Sequence, residues 1–170
     1  MRSLRRLDLR LLVVARTRLH GPGRERAIRA GSRLGEHAAC WLALGALGAA
    51  CDRERRGQWL RGAGTVAGSY AVNYAVKLAV RRPRPQLEGL PPLSGVVSAL
   101  SFPSAHATTS FAAARAYRDL APAAGLYVAA TALAASRPYL GVHYPSDVLA
   151  GALLGTAVAA AAQRALEGRR

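Results

Sequence analysis

The chain has 170 residues, a length typical of one domain, and combines 51% hydrophobic residues with a net charge of +15. This pairing is unusual for a soluble protein. The charge would also suit nucleic-acid binding, but no recognition motif accompanies it and only 6% of the residues are aromatic, so that class is set aside. Two cysteines, Cys40 and Cys51, lie at opposite ends of one apolar stretch and imply neither a disulfide framework nor a zinc site.

The N-terminal part of the chain is strongly basic. Ten arginines fall within residues 2–33, and residues 4–20 read as an amphipathic helix that lies at a membrane surface. The sequence Gly-Pro-Gly at 21–23 breaks this helix, and a second basic helical stretch follows over 24–35. We therefore expect residues 1–35 to form a basic amphipathic segment and residues 36–165 to form a membrane-embedded domain.

Apolar stretches separated by short basic clusters fill the rest of the chain, as in proteins that cross a membrane several times. Several of them are shorter than the roughly 20 residues that cross a bilayer, so those helices must be tilted, short or shielded by neighbours. The sequence predicts an all-α membrane bundle with about five transmembrane helices. The five stretches are 37–50, 58–80, 104–119, 121–136 and 146–163.

Small and aromatic residues add two weaker expectations. Trp41 and Trp59 fall near the ends of predicted spans, where an indole ring would lie at headgroup level. Glycines at four-residue spacing would let helix backbones approach closely, although ordinary glycine usage explains them as well. These pairs are Gly64 with Gly68, and Gly151 with Gly155.

Two loops separate the predicted spans on one side of the membrane. Residues 81–103 are rich in Pro, Gly and Ser, which rules out a continuous helix there, and residues 137–145 form the second loop. Because two predicted helices lie between them, both loops open on the same side.

Cations and helix starts gather at these loops. Lys77 alone would be read as a side chain that extends to the membrane surface, but Arg84 follows in the loop that it leads into. The sequences FPSAH (102–106) and YPSD (144–147) each predict a helix start with Pro at the first helical position. Free backbone N–H groups at helix starts bind anions. With Arg137, these features predict a site for one phosphate-sized anion.

The helix that ends at Lys77 also places polar side chains on one face, at helical spacing: Tyr70, Asn73 and Tyr74.

The four histidines divide into two pairs. His20 and His37 have no carboxylate at a useful spacing and are expected at the surface or the membrane interface. His143 precedes a helix whose first turn holds Asp147, so the carboxylate can accept from one ring nitrogen and leave the other free to attack. His106 follows Ser104 at the other helix start, where it can donate or accept a proton.

These residues form a three-part pattern. Lys77 is followed after six residues by Arg84-Pro85, then comes Pro103-Ser104-Ala105-His106, and finally Ser136-Arg137, five residues, His143, three residues and Asp147. The pattern resembles the signature of the type 2 phosphatidic acid phosphatases, which are related to vanadium haloperoxidases. The resemblance covers roughly residues 58–160. One departure is Ala105, where the family usually has Gly. Alanine keeps the backbone N–H, but its methyl group narrows the site.

The resemblance implies a helical bundle that hydrolyses phosphate esters without a metal or cofactor. His143 would be the nucleophile that forms a phosphohistidine, with Asp147 holding its tautomer. His106 would protonate the leaving oxygen and later activate water. The phosphoryl oxygens would bind Lys77, Arg84, Arg137, the Ser104 hydroxyl and nearby N–H groups such as that of Ala105.

The apolar spans point to an amphiphilic substrate at the bilayer. The short chain with a basic N-terminus is similar to family members that act on decaprenylphosphoryl-5-phosphoribose, which implies a polyprenyl-linked phosphate and a role in cell-wall synthesis. Undecaprenyl diphosphate and phosphatidate are alternative substrates, and a non-catalytic protein that binds lipid headgroups is the alternative class. The basic N-terminus favours a cytoplasmic site if five spans are present; an additional crossing by residues 4–20 would place the site outside.

Overall fold

The computed structural model describes residues 2–18 and 21–168, and within them it forms helices and loops with one isolated bridge between Pro83 and Leu100. The all-α expectation is confirmed, and each predicted apolar stretch forms one helix. The elements in chain order are α1 (Arg2–Thr17), α2 (Pro22–Leu34), a short 3₁₀ turn (Glu36–Ala38), α3 (Ala39–Cys51), α4 (Arg56–Val80), α5 (Ala105–Ala116), α6 (Ala123–Tyr139) and α7 (Pro145–Glu167).

Helix α5 is the centre of the bundle. It packs against α4, α6 and α7 and also contacts α3. Most of its residues are buried, and apart from His106 they are small Ala, Thr and Ser side chains that let its neighbours approach. Two of its buried hydroxyls bond to backbone carbonyls one turn earlier, since Thr108 donates to the Ser104 carbonyl and Thr109 to the Ala105 carbonyl, each at 3.0 Å.

The two glycine pairs differ in what they face. A Cβ on Gly151 would lie 2.6 Å from the Ser104 carbonyl oxygen, and a Cβ on Gly155 would overlap the Thr108 backbone. This pair therefore sets the close approach of α7 to α5. A Cβ on Gly64 or Gly68 would meet no other described residue within 4 Å, so the expectation of close packing is wrong for this pair and ordinary glycine usage explains it.

Both tryptophans are buried in the core, which corrects the expectation that they lie at headgroup level. Trp41 and Trp59 are only 4% and 5% exposed. The Trp41 indole donates to Ser110 Oγ at 2.9 Å, and the Trp59 ring packs against Tyr117. The Trp41 N–H finds its partner inside the bundle, and the Trp59 N–H donates to Oδ2 of Asp52 at the end of α3 at 3.2 Å, so membrane contact is not needed to satisfy either group.

The predicted proline at the first helical position is found in one of the two helices and not in the other. Pro145 occupies the first turn of α7, as expected. Helix α5 begins at Ala105 with Ser104 as its N-cap, so Pro103 precedes the cap and the expected Pro at the first helical position is wrong there. The loop over 81–103 contains no helix, as predicted.

The two N-terminal helices pack on the end of the bundle where these loops meet. Helix α1 contacts α6 and α7, and α2 contacts α6. Arg16 of α1 donates to the Pro91 carbonyl at 2.6 Å, and Asp8 of the same helix contacts Ser146 at the start of α7. His20 lies outside the described residues.

By length and hydropathy, α7 alone among the described helices is a candidate membrane span. The bent pair formed by Pro22–Leu34 and Glu36–Cys51 passes the same test if it is counted as one span.

Candidate active site

The predicted site residues meet at one end of the bundle around a cavity of about 100 Å³. Ser104 and Asp147 are fully buried at the starts of α5 and α7. The loop 81–103 contacts the loop that follows α6, as expected from the prediction that both loops open on the same side. The cavity is lined by six of the predicted residues: Lys77, Arg84, Ala105, His106, Arg137 and His143.

His143 lies in the short loop between α6 and α7, where Gly141 with a φ of +74° turns the chain. Nη1 of Arg84 lies 3.1 Å from Nε2 of His143. A guanidinium can only donate, so a neutral His143 accepts at Nε2 and carries its proton on Nδ1. The nitrogen with the lone pair is thus the one beside the cations.

The environment of His143 favours its neutral form. Burial lowers its pKa to about 4 from the ordinary 6.5; the Asp147 carboxylate acts in the opposite direction, while Arg84 and Arg137 lower the pKa further. At neutral pH the imidazole is therefore uncharged, as a nitrogen nucleophile must be.

Asp147 lies close to His143 but is held mainly by other groups. Its Oδ2 is 3.6 Å from Nδ1 of His143, which is longer than a hydrogen bond. The same oxygen accepts the Tyr144 backbone N–H at 2.9 Å, and Oδ1 accepts from Nη1 of Arg82 at 2.7 Å. The helix cap and Arg82 fix the carboxylate, which faces the proton-bearing side of His143.

Backbone carbonyls hold two of the cations at the cavity. Nζ of Lys77 donates to the carbonyls of Leu100 and Pro103 at 3.2 and 3.0 Å. Nε of Arg84 donates to the Ser98 carbonyl at 2.6 Å. These neutral acceptors orient the cations without cancelling their charges, so both remain available to an anion.

Ser32 of α2 is a site residue that sequence reasoning missed. Its Oγ accepts from Nη1 of Arg137 at 2.6 Å, and its carbonyl oxygen lies 3.1 Å from Nε2 of His106. The carbonyl can only accept, so it fixes the proton of His106 on Nε2 and leaves Nδ1 for proton transfer. No motif marks a lone serine in a basic helix, so only the fold reveals it.

The start of α5 has an unpartnered hydroxyl. Ser104 is fully buried, and its Oγ has no hydrogen-bond partner among the described residues. Such a group costs stability unless a ligand completes it. Ala105 begins the helix beside it and lines the cavity, where its methyl group occupies space that Gly would leave open.

The mouth of the cavity is formed by the 3₁₀ turn and α4. His37 is exposed, as expected, and its Nδ1 lies 3.1 Å from the Tyr70 hydroxyl. His37 and Ala38 both have positive φ, at 52° and 61°, which is costly for residues other than glycine. Glu36, His37, Tyr70 and Tyr74 line the cavity here together with the buried Asn73, so the polar face predicted on α4 does line the site.

No group of three or more His, Cys, Asp or Glu side chains placed to hold a metal ion occurs within residues 2–18 and 21–168.

The fold and the site define an all-helical phosphohydrolase with two histidines and three cations at one cavity. The chain belongs to the PAP2 superfamily, whose family model matches residues 58–170. It is a membrane lipid phosphate phosphatase, as the resemblance in the sequence implied.

Two curated relatives agree with this assignment. The chain is 44% identical over 145 residues to decaprenylphosphoryl-5-phosphoribose phosphatase of Mycolicibacterium smegmatis (strain ATCC 700084 / mc(2)155), covering 83% of this chain and 79% of that protein. It is 43% identical over 143 residues to the protein of the same name from Mycobacterium tuberculosis (strain ATCC 25618 / H37Rv), covering 82% and 78%.

Two crystal structures share the fold. One is the transmembrane PAP2-type phosphatidylglycerolphosphate phosphatase of Bacillus subtilis, with a TM-score of 0.80 at 23% identity, covering 100% of this chain and 89% of that chain. The other is Aquifex aeolicus LpxE, with a TM-score of 0.78 at 22% identity, covering 93% and 95%.

Proposed function

We propose that this phosphatase removes the terminal phosphate from a polyprenyl-phosphoryl 5-phosphosugar through a phosphohistidine. The observation that carries the chemistry is the single cavity shared by His143, His106 and three cations. The substrate class rests on the relatives that are named decaprenylphosphoryl-5-phosphoribose phosphatases and that are more than 40% identical.

The reaction would proceed in two steps. Nε2 of His143 attacks phosphorus, the bond to the sugar oxygen breaks, and His106, which enters this step protonated on both ring nitrogens, gives that oxygen its Nδ1 proton. His106 then takes a proton from water, the resulting hydroxide attacks phosphorus, and the P–N bond breaks to release inorganic phosphate and neutral His143. The charge on the phosphoryl oxygens is stabilised throughout by Lys77, Arg84 and Arg137.

The Ser104 hydroxyl and the backbone N–H of Ala105 complete this phosphate site in the proposal. The hydroxyl is buried without a partner in the part of the chain that the structure describes, and a phosphoryl oxygen would supply one. The first N–H groups of α5 have no acceptor within their own helix and suit the same oxygen.

The cavity mouth suits a sugar better than a lipid headgroup of high charge. Glu36 is a carboxylate beside three cations, and it repels phosphate but accepts hydrogen bonds from hydroxyls. The Tyr70 hydroxyl and His37 add further hydrogen-bonding groups at the same rim. A ribose that carries its phosphate on carbon 5 presents hydroxyls on carbons 2 and 3 to such groups.

The outer faces of the bundle suit the lipid part of the substrate. Large apolar side chains are exposed on α3, α4, α6 and α7, which is expected for surfaces in contact with acyl or prenyl chains. We therefore propose that α3 to α7 are five membrane-embedded crossings in the cell membrane, with α1 across the site-side surface. The exposed residues include Leu47, Leu60, Val72, Leu78, Val128, Leu149 and Leu153.

A substrate panel in detergent tests the proposed substrate. We expect kcat/KM for the polyprenyl-phosphoryl 5-phosphoribose to exceed that for the lipid-free phosphosugar by about tenfold, which corresponds to about 1.4 kcal/mol of chain contact. Equal hydrolysis of the soluble phosphosugar would refute a lipid substrate. Faster hydrolysis of undecaprenyl diphosphate or phosphatidate would replace the proposed substrate by that lipid.

The sidedness of the site can be tested with one native and one introduced cysteine. The arginine-rich N-terminal helices pack at the site end, so the positive-inside rule favours a cytoplasmic site. Cys51 is exposed at the far end of α3, and Val97 is exposed on the loop at the cavity. In intact cells an impermeant maleimide should label Cys51 in the Cys40→Ser variant but not Val97→Cys in a chain without other cysteines. The reverse pattern would place the site outside.

A further inference from the structure

Asp8 is a buried acid in an otherwise basic helix. It is the only acidic residue among the first 24, and its side chain is 3% exposed. Its Oδ1 accepts the backbone N–H of Ser146 at 2.9 Å, and its Oδ2 accepts the Ser146 hydroxyl at 2.6 Å. A side chain of α1 therefore caps the first turn of α7, the helix that carries Asp147.

Arg82 joins Asp8 to Asp147. Its Nη2 donates to Oδ2 of Asp8 at 2.8 Å, and its Nη1 donates to Oδ1 of Asp147 at 2.7 Å. The guanidinium carbon also lies 4.0 Å from the centre of the Tyr144 ring, which fixes the plane of the fork. A planar fork with two separate donor nitrogens can hold two carboxylates at once, which an ammonium group cannot do with defined geometry.

These contacts give the two carboxylate oxygens of Asp147 different partners. Arg82 occupies Oδ1, so Oδ2 is left for the Tyr144 N–H and for the side of His143 that carries Nδ1. Without a partner on Oδ1 the carboxylate could rotate, and His143 would lose the group that favours its reactive tautomer.

Asp8 is ionised in this network. Burial alone would raise its pKa, but hydrogen bonds from Arg82 and Ser146 lower the pKa below its ordinary value of 3.8. Asp8 also lies outside residues 58–170, the part of the chain that the family model matches.

We propose that Asp8 is a positioning residue for the phosphatase reaction, acting through Arg82 on the Asp147 carboxylate that faces His143. The N-terminal helix then supplies a positioning residue to the site and is not only a membrane-surface segment. This proposal rests on the proposed role of His143 but not on the identity of the lipid.

The test compares Asp8→Asn with a matched variant of the same helix, Leu12→Ala. Asparagine keeps the shape of Asp8 and removes its charge, whereas Leu12 is fully buried and its truncation removes apolar contacts of α1 without removing any hydrogen bond of the network. We expect Asp8→Asn to lower kcat by about tenfold, the lower end of what loss of an outer partner costs, with KM within about twofold. Leu12→Ala should lower the Tm but leave kcat per folded molecule near wild type.

Two further measurements separate positioning from simple stability. Inorganic phosphate should inhibit Asp8→Asn with an unchanged inhibition constant, because the cations that bind phosphate are not altered. Arg82→Lys should lose as much kcat as Asp8→Asn, and the double variant should lose no more than Arg82→Lys alone, since both act through one contact chain.

Three outcomes would overturn the proposal: wild-type kcat in Asp8→Asn, equal kcat losses in Asp8→Asn and Leu12→Ala, or additive losses in the double variant. If no lipid phosphate were hydrolysed by the wild-type enzyme, the proposed function itself would fail. That result differs from any loss confined to the variants.

Discussion

Replacing Gly35 by Ala should displace His106 without disturbing the backbone. Gly35 ends α2 with a φ of −86°, which alanine adopts without strain. A Cβ at this position would lie 2.8 Å from Cδ2 of His106 and 3.3 Å from Nε2. Ordinary contacts begin near 3.4 Å, so the imidazole must move by about 0.6 Å.

The displacement should be measurable as a loss of general acid catalysis. A shift of about 1 Å in a reacting group can cost a hundredfold in rate, so we expect about a tenfold fall in kcat/KM for an alkyl phosphate, or about 1.4 kcal/mol. An aryl phosphate with a good leaving group needs little help from an acid, so its kcat/KM should fall less than that of the alkyl phosphate. His106→Ala should show the same contrast in stronger form.

Gly31→Ala is the matched control for this prediction. Gly31 lies one turn earlier on α2, and a Cβ there meets nothing within 4 Å. Its kinetics should equal those of the wild type on both substrates. Equal losses on alkyl and aryl phosphates in Gly35→Ala, or none at all, would refute the role of His106 as the acid.

Three other predictions concern metal, pH and packing. Activity should survive EDTA, because fixed cations neutralise the phosphoryl oxygens; loss in EDTA that a divalent ion restores would contradict the mechanism. In ¹⁵N-histidine NMR, the His143 signals can be assigned by their absence from the His143→Gln variant. The His143 ring should stay neutral as the pH falls to 5.5 and gain its second proton near pH 4, because burial lowers its pKa; protonation near pH 6.5 would contradict this effect of burial. Gly155→Ala should lower stability by about 1–3 kcal/mol in detergent, because its Cβ would overlap the Thr108 backbone, whereas Gly64→Ala should not; equal Tm values would refute the close packing.

The helices and the residues that meet at the cavity could be predicted because their signals are local. Apolar runs bounded by Pro, Gly and basic clusters predicted α3 to α7. The site was predicted from the spacing of Lys77, Arg84, His106 and His143. Each of these residues lies next to a helix end, where sequence patterns are strongest.

The contributions of the N-terminal helices could not be predicted. Asp8 contacts Ser146, which lies 138 residues away, and Ser32 contacts Arg137 at a separation of 105 residues. In a basic amphipathic helix a single acid or serine reads as a solvated residue, since nothing local shows what packs against it. The tryptophans were misplaced for a related reason: an indole suits a membrane interface and a buried N–H site equally well.

Direct detection of the phosphohistidine tests the central claim. His106→Ala, mixed with a ³²P-labelled aryl phosphate and quenched, should accumulate phosphoenzyme, because the good leaving group departs unaided while hydrolysis lacks its base. The account predicts acid-labile, alkali-stable phosphate on His143 that is absent from the His106→Ala/His143→Ala variant. Phosphate on Ser104, labelling that persists without His143, or hydrolysis by His143→Ala at the wild-type rate would contradict it.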